Sequence, residues 1–232
     1  MDMSTPPTAP AGKVLSGEVF GAMINLSGRR RFTSQRIVLY TLLAQQRPAA
    51  PAAPAGAPEQ EDAVAVAREA LALFRGAHKA LLSEADGLPG VFCAELQAAY
   101  FGKLAGDRAI VAFADQAERT LAAVVQGSGA AADLLAQLVA LTTPTLAVLN
   151  QITSVYEEQA RLHARLMKKQ LRGVISDIDT INKQARMVAF NARVVAARAG
   201  HAGREFAVVA GVLSNITTEI DQMVTTALAT AG

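Results

Sequence analysis

Arg29, Arg31 and Arg36 fall within one short stretch near the start of the chain, INLSGRRRFTSQR, Ile24 to Arg36. A guanidinium offers forked donors and does not deprotonate in a protein, so three held close together make an oxyanion trap. From Lys13 to Arg47 six bases stand against one acid, Glu18, which leaves these cations short of local counter-charge. The competing assignment pairs them with the middle helices, where Glu59 to Gln126 carries ten acids against six bases. A second basic group, Lys183, Arg186, Arg193, Arg198 and Arg204, surrounds a predicted turn with Glu205 opposing it. It is either a docking tip or the solvated face of a bundle.

The other reactive residue types point away from catalysis. His78, His163 and His201 lie far apart and none has a second His four residues on; Glu205 follows His201 at that spacing, but one such pair is too few ligands, so no metal site is expected. His78 in HKALL has a superficial likeness to a phosphotransfer histidine but lacks the following Lys-Gly step, and all three histidines read as structural or solvated. The chain has no Gly-rich phosphate loop, no GxSxG turn and no paired carboxylates in a pocket-forming context, so no enzyme activity and no cofactor are expected. With 22 Lys+Arg against 20 Asp+Glu, a net charge of +2 gives no global basic field, and composition argues against a dedicated nucleic-acid or polyanion binder. Cys93 is the lone thiol, which rules out an internal disulfide and suits a reducing compartment.

These groups have to be positioned by helices. The chain is rich in Ala, Leu, Glu, Arg and Gln and has no alternating β-branched run, so an all-α fold is predicted. The opening MDMSTPPTAPAG has neither a cationic start nor a long apolar run; it reads as a disordered tail rather than a targeting segment. Helical segments are expected over Val14–Gln46, Glu61–Ala85 and Val91–Gln126, with a long one opening near Ala131. RPAAPAAPAGAPEQ, Arg47 to Gln60, is a semi-stiff linker; Asp86–Gly90 and Gly127–Gly129 are turn clusters. Val66, Ala70, Leu73, Ala77 and Leu81 keep one apolar face, as a bundle helix requires. The uncharged run Leu134–Tyr156 is interrupted by Gln137, Thr142, Pro144, Asn150 and Thr153, which argues for a buried helix over a membrane span, with Pro144 as a kink or break.

From Leu171 a seam runs through Val174, Ile178, Ile181, Ala185, Val188, Ala192, Val195 and Ala199, restarting after the Gly200–Gly203 turn at Phe206, Val209, Leu213, Ile216, Ile220, Met223 and Ala227. Two such arms around a tight turn make an antiparallel coiled-coil hairpin. The expected organisation is a tail over 1–12, a four-helix bundle over 13–170 containing the linker 47–60, and a hairpin over 171–232. One hairpin leaves half its seam exposed, which implies a homodimer.

The stretch Ile178–Ile216, with AARAGHAGREFAVVA at its centre, resembles the hairpin tip of the signalling domain of methyl-accepting chemotaxis receptors. Gln184, Ala189, Asn191, Ala196, Ala197, Arg198, Gly200, Gly203, Arg204, Phe206, Val208 and Ala210 stand at matching positions. The resemblance implies a tip, carried here by Met187, Phe190, Asn191, Arg198, Gly200, Gly203, Arg204 and Val208, that binds a chemotaxis histidine kinase and a coupling adaptor, with other chemoreceptors as further partners in an array. The departures recharge that tip. Val195 and His201 stand where the family has acids, Val212 where it has Glu, and Lys183, Arg186, Arg193 and Glu205 replace uncharged residues. The stretch after Gly203 is short beside a receptor's return arm, and Glu219 is followed by Ile220, so no adaptation by methylation is expected.

INLSGRRRFTSQR resembles a motif of the type IV pilus chemoreceptor N-terminal domain and of nitrate and nitrite sensor kinases, matching at Asn25, Gly28, Arg29, Arg31, Ser34, Gln35 and Arg36. Leu71–Gly90 fits the second helix and turn of that four-helix domain. The resemblance places Arg31 from two subunits around a small oxyanion, with Arg36, Arg29 and Asn25 nearby. Together the two resemblances imply a cytoplasmic, array-associated transducer: anion binding shifts the packing of two bundles, and the tip presents a changed surface to the kinase. The alternative is a non-sensing scaffold or decoy of receptor arrays.

Overall fold

Long alanine-rich segments with apolar residues every third or fourth position leave helices as the economical way to bury side chains. The computed structural model describes residues 15–46 and 58–230; the expected tail over 1–12 and most of the Pro/Ala linker lie outside them. Among the described residues there are six α-helices and no strand: α1 (Gly17–Gln46), α2 (Pro58–Leu82), α3 (Ala94–Phe101), α4 (Gly106–Val125), α5 (Ala131–Arg198) and α6 (Arg204–Thr230), with a 3₁₀ turn over Gly200–Gly203. The protein is all-α, as expected. It divides into two units between Arg161 and Leu162, where the sequence reading placed the boundary at 170.

The first unit closes on a core of Met23 and Ile37 from α1, Phe74 and Leu81 from α2, Leu96 and Tyr100 from α3, Ile110 and Phe113 from α4, and Leu138, Leu149, Ile152 and Tyr156 from α5. Phe74 and Phe113 meet at a ring separation of 5.4 Å. Each large apolar side chain fully buried in this way stabilises the fold by about 1.5–3 kcal/mol.

The segment 91–126, expected as one helix, is two. Ala105 adopts a left-handed conformation (φ 47°), and a Cβ on Gly102 would lie 2.5 Å from the Ala98 carbonyl. A Cβ on Gly106 would lie 2.6 Å from the Ala99 carbonyl and 2.8 Å from Ile152 Cδ1. Glycine at 106 is what lets the start of α4 touch both α3 and α5. Helix α2 ends at Leu82, before the expected Ala85, and starts at Pro58, inside the expected linker. Pro144 makes no break: α5 runs through it. Leu135, Leu138, Leu149, Ile152 and Tyr156 of the uncharged run are buried. An 18-residue window of α5 is also apolar enough to cross a membrane by length and composition (mean hydropathy 1.5), and 22% of it is buried.

In the second unit the arms meet along a line other than the expected seam. The residues buried there recur at heptad spacing, Ile175, Asn182, Ala189 and Ala196 on α5, then Gly203, Ala210, Thr217 and Val224 on through α6. Most are small or polar, so the backbones approach closely: a Cβ on Gly203 would overlap the Ala196 carbonyl. The Asn182 amide fixes the register, donating to the Thr217 carbonyl at 2.8 Å and to Asp221 Oδ1 at 2.7 Å. At about 100° per residue, the series through Ile181 and Val188 and the series through Ile178 and Ala185 lie beside this line on one broad apolar arc. The arms touch at its edge. The expected seam residues Leu171, Val174, Ile178, Ile181, Val188, Val195, Ala199, Phe206, Val209, Ile216 and Met223 are therefore exposed, and Ala185, Ala192, Leu213, Ile220 and Ala227 are half-buried.

Replacing Gly203 by Val should destabilise the tip by about 1–3 kcal/mol through overpacking. Gly211, which has open space where its Cβ would be, should accept Ala with unchanged or greater stability. Amide hydrogen exchange across residues 189–210 separates the two outcomes.

Candidate functional site

The hairpin tip is built from the last turns of α5, the 3₁₀ turn and the first turns of α6. Gly200 takes φ +58°, a conformation costly for any side chain with a Cβ, and this reverses the chain at once. Met187, Phe190 and Val208 are exposed, Phe190 by 67%. Asn191, Arg198, Gly200 and Arg204 are exposed, while Gly203 is buried against α5. Phe190, Arg193, Ala197, Gly200, Gly203 and Arg204 line a groove of about 560 Å³ on one side of the turn.

The basic group around the tip is smaller than the sequence suggests. Lys183 is paired with Asp179 at 2.7 Å, and Arg186 with Asp221 across the arms. The Arg186 guanidinium holds the Asp221 carboxyl below its ordinary range, helped by the Asn182 amide. Glu205 is thus not the sole opposing acid. Arg193, Arg198 and Arg204 are left without an ion pair among the described residues, all within the exposed end of the hairpin.

The N-terminal arginines point to separate places within one chain. Arg31 donates to Asn150 Oδ1 at 3.2 Å, Arg36 lies 3.6 Å from Glu69 and over the Tyr40 ring, and Arg29 and Asn25 are exposed on α1. The arginine between them, which the sequence reading passed over, is fully buried. Arg30 donates to Ser27 Oγ at 3.0 Å, reaches His78 Nδ1 at 3.1 Å and lies over the Tyr100 ring at 5.7 Å. Because Arg30 can only donate, His78 Nδ1 accepts, and the ring proton sits on Nε2, facing Asp107 Oδ1 at 3.0 Å. Ser27 Oγ also meets Thr153 Oγ1 at 2.8 Å, and the Tyr100 and Tyr156 hydroxyls meet at 3.2 Å. All five helices of the first unit contribute. The signal for it was present in the spacing Met23, Ser27, Arg30, Ser34, Ile37, a single helical face that closes on the core.

The electrostatics follow from this geometry. Asp107 balances Arg30 across a neutral imidazole, and burial first, then the Arg30 charge, lowers the His78 pKa below its ordinary value. Burial pushes the Tyr156 phenol far up, so it stays protonated. His78 is thus a structural bridge rather than a solvated side chain.

With the geometry in place, comparison with known proteins gives one family. Residues 114–227 match the methyl-accepting chemotaxis protein (MCP) signalling domain. The match begins within α4, takes in the whole hairpin tip and covers just under half of the chain. This region is similar to the signalling domain of chemoreceptors, which indicates a chemoreceptor-like signal transducer. No curated protein and no solved structure matches the chain.

Replacing His78 by Leu should remove about 3–5 kcal/mol of stability at neutral pH, because Arg30 keeps its buried charge and loses its acceptor. In the native chain the folded His78 pKa lies below the unfolded value near 6.5. The unfolded state therefore binds the proton first, so stability present above about pH 6.5 is lost as pH falls through the lower folded value. Thermal melts across this range should show that loss in the native chain and a flatter profile in the Leu variant.

Proposed function

We propose that the chain works as a homodimeric chemoreceptor-like transducer whose hairpin tip docks a chemotaxis histidine kinase and coupling adaptor at the cytoplasmic face of a receptor array. The observation that carries this reading is the exposed apolar surface of the hairpin, Phe190 and Val208 at the tip and Ile181, Val188, Val209 and Ile216 along the arms. It sits on a region matching the MCP signalling domain. A band of that width left in water is expensive, and a second hairpin would bury it as a four-helix coiled coil. The tip residues Met187, Phe190, Asn191, Arg198, Gly200, Gly203, Arg204 and Val208 then form the docking surface. Arg193, Arg198 and Arg204 give it a positive rim that favours partners with acidic surfaces.

On this reading the input is a small oxyanion held by Arg31 from two subunits, with Arg36, Arg29 and Asn25 close by, as in the pilus chemoreceptor and nitrate-sensor domains that α1 resembles. A second reading, a scaffold of receptor arrays that senses nothing, draws support from the ties Arg31 and Arg36 already make to Asn150 and Glu69. Nitrate titration followed by isothermal calorimetry distinguishes them: saturable binding abolished by Arg31→Ala supports the sensor, and absence of heat supports the scaffold.

Two measurements test the core of the proposal. Sedimentation should give a dimer at micromolar concentration and a monomer for Val188→Glu, since an unpaired carboxylate in that seam costs several kcal/mol. Co-pelleting with the host's kinase and adaptor should be lost on Arg198→Ala in a chain that still dimerises. Equal pelleting of native and variant chains would remove the tip as the docking site.

A further inference from the structure

The core relay ends at a cavity. Between α2 and α4 a half-open cavity of about 370 Å³ has Leu82 and Val111 as its accessible apolar surface, with Phe74, Ile110 and Ala114 buried beneath them and His78 and Asp107 on its polar side. That volume is within the range of small-molecule sites, which combine apolar walls with a few placed polar groups. Its charged neighbours differ in availability. Arg75 is held by Asp115 at 2.9 Å and Glu118 at 2.8 Å, so its charge is already matched. Lys79 is exposed at the rim. Asp107 uses Oδ1 on His78 and has no hydrogen bond on Oδ2 among the described residues, while its side chain is 34% exposed. One carboxylate oxygen therefore stands open beside an apolar chamber.

The geometry points to this cavity as a binding site for a small molecule with an apolar body and a cationic, hydrogen-bond-donating head, of the alkylammonium class, the head resting on Asp107 Oδ2 and the body against Leu82 and Val111. A carboxylate or phosphate head would face Asp107 directly and be repelled; a neutral hydroxyl would gain the hydrogen bond without the charge. The same carboxylate balances Arg30 through His78. A cation on Oδ2 competes for that charge, weakens the pull of Asp107 on the His78 Nε2–H and so reaches Arg30 and Ser27 on α1 and Thr153 on α5. Binding stands on the cavity alone; its use as an input rests on the transducer reading above. The site differs from the proposed Arg31 site in place, residues and ligand charge.

The test uses the full purified chain with no kinase or adaptor present, so its failure is separate from failure of tip docking. Hexylammonium, hexanol and hexanoate are titrated by calorimetry and by ¹⁵N NMR of the His78 ring. The expected result is saturable hexylammonium binding with a shifted His78 Nε2 resonance, weaker hexanol binding and none by hexanoate. Asp107→Asn should weaken hexylammonium at least tenfold, the loss of about one charge-assisted bond. Val111→Trp fills the chamber from its exposed side and should abolish binding with the melting temperature kept, which serves where the Asn variant fails to fold. Absence of saturable hexylammonium binding, hexanoate binding as tight as hexylammonium, or full binding in a folded Val111→Trp chain overturns the assignment.

Discussion

A guanidinium sealed inside a helical bundle needs partners from several helices, and the first unit is arranged around that demand, with Arg30 Nε alone of its nitrogens left without a hydrogen-bond partner among the described residues. Arg30 has no exposed surface, and burying an unmatched cation would cost more than any one core side chain returns. Its charge is answered by Asp107 two hydrogen bonds away, with the neutral His78 ring as the conductor. Ser27 takes a further donor and Tyr100 offers its ring face. Since these groups come from α1, α2, α3 and α4, and Thr153 and Tyr156 add α5, the relay fixes the register of every helix in the unit. Thr33 and Thr41 return their hydroxyls to carbonyls of their own helix, so these two oxygens are satisfied on the buried face of α1, whereas Gln45 Oε1 near its end has no hydrogen-bond partner among the described residues.

The second unit solves the opposite problem. Its arms meet through alanines, a glycine and an asparagine, which gives close backbone approach but little apolar burial. Most of its larger apolar residues are left outside, Ile175 and Val224 being buried exceptions. The Asn182 amide supplies what such a thin interface lacks, a directional contact that holds α6 in one register against α5. The two units thus distribute polarity in reverse: the first keeps charge inside and the second keeps hydrocarbon outside. Both arrangements ask for something more, a counter-charge in one case and a covering surface in the other.

Helix α5 is common to both. It carries Thr153 and Tyr156 among the buried polar groups of the first unit and Ala189 and Ala196 along the hairpin line of the second. Pro144 lacks an amide hydrogen to donate, yet the helix passes through it because packing on either side sets the path more strongly than one missing hydrogen bond.

Much of this was legible in the residues. Alanine-rich composition and three- and four-residue periodicity determined an all-α chain, the Gly200–Gly203 reversal between two long arms and the turn clusters at Asp86–Gly90 and Gly127–Gly129. The AARAGHAGREFAVVA stretch pointed to a signalling hairpin through its resemblance to the chemoreceptor tip. What the sequence could not decide was which neighbour each face meets. The break at Gly102–Ala105 depends on α3 and α5 crowding Gly106, and the inner line of the hairpin depends on which edge of a broad apolar arc the partner arm covers. Arg30, His78 and Asp107 are far apart along the chain and unremarkable in type. Only folding brings them within 3.1 Å of one another in turn, because periodicity assigns a residue to a face, whereas the partners of a buried charge are chosen by the packing of several helices at once.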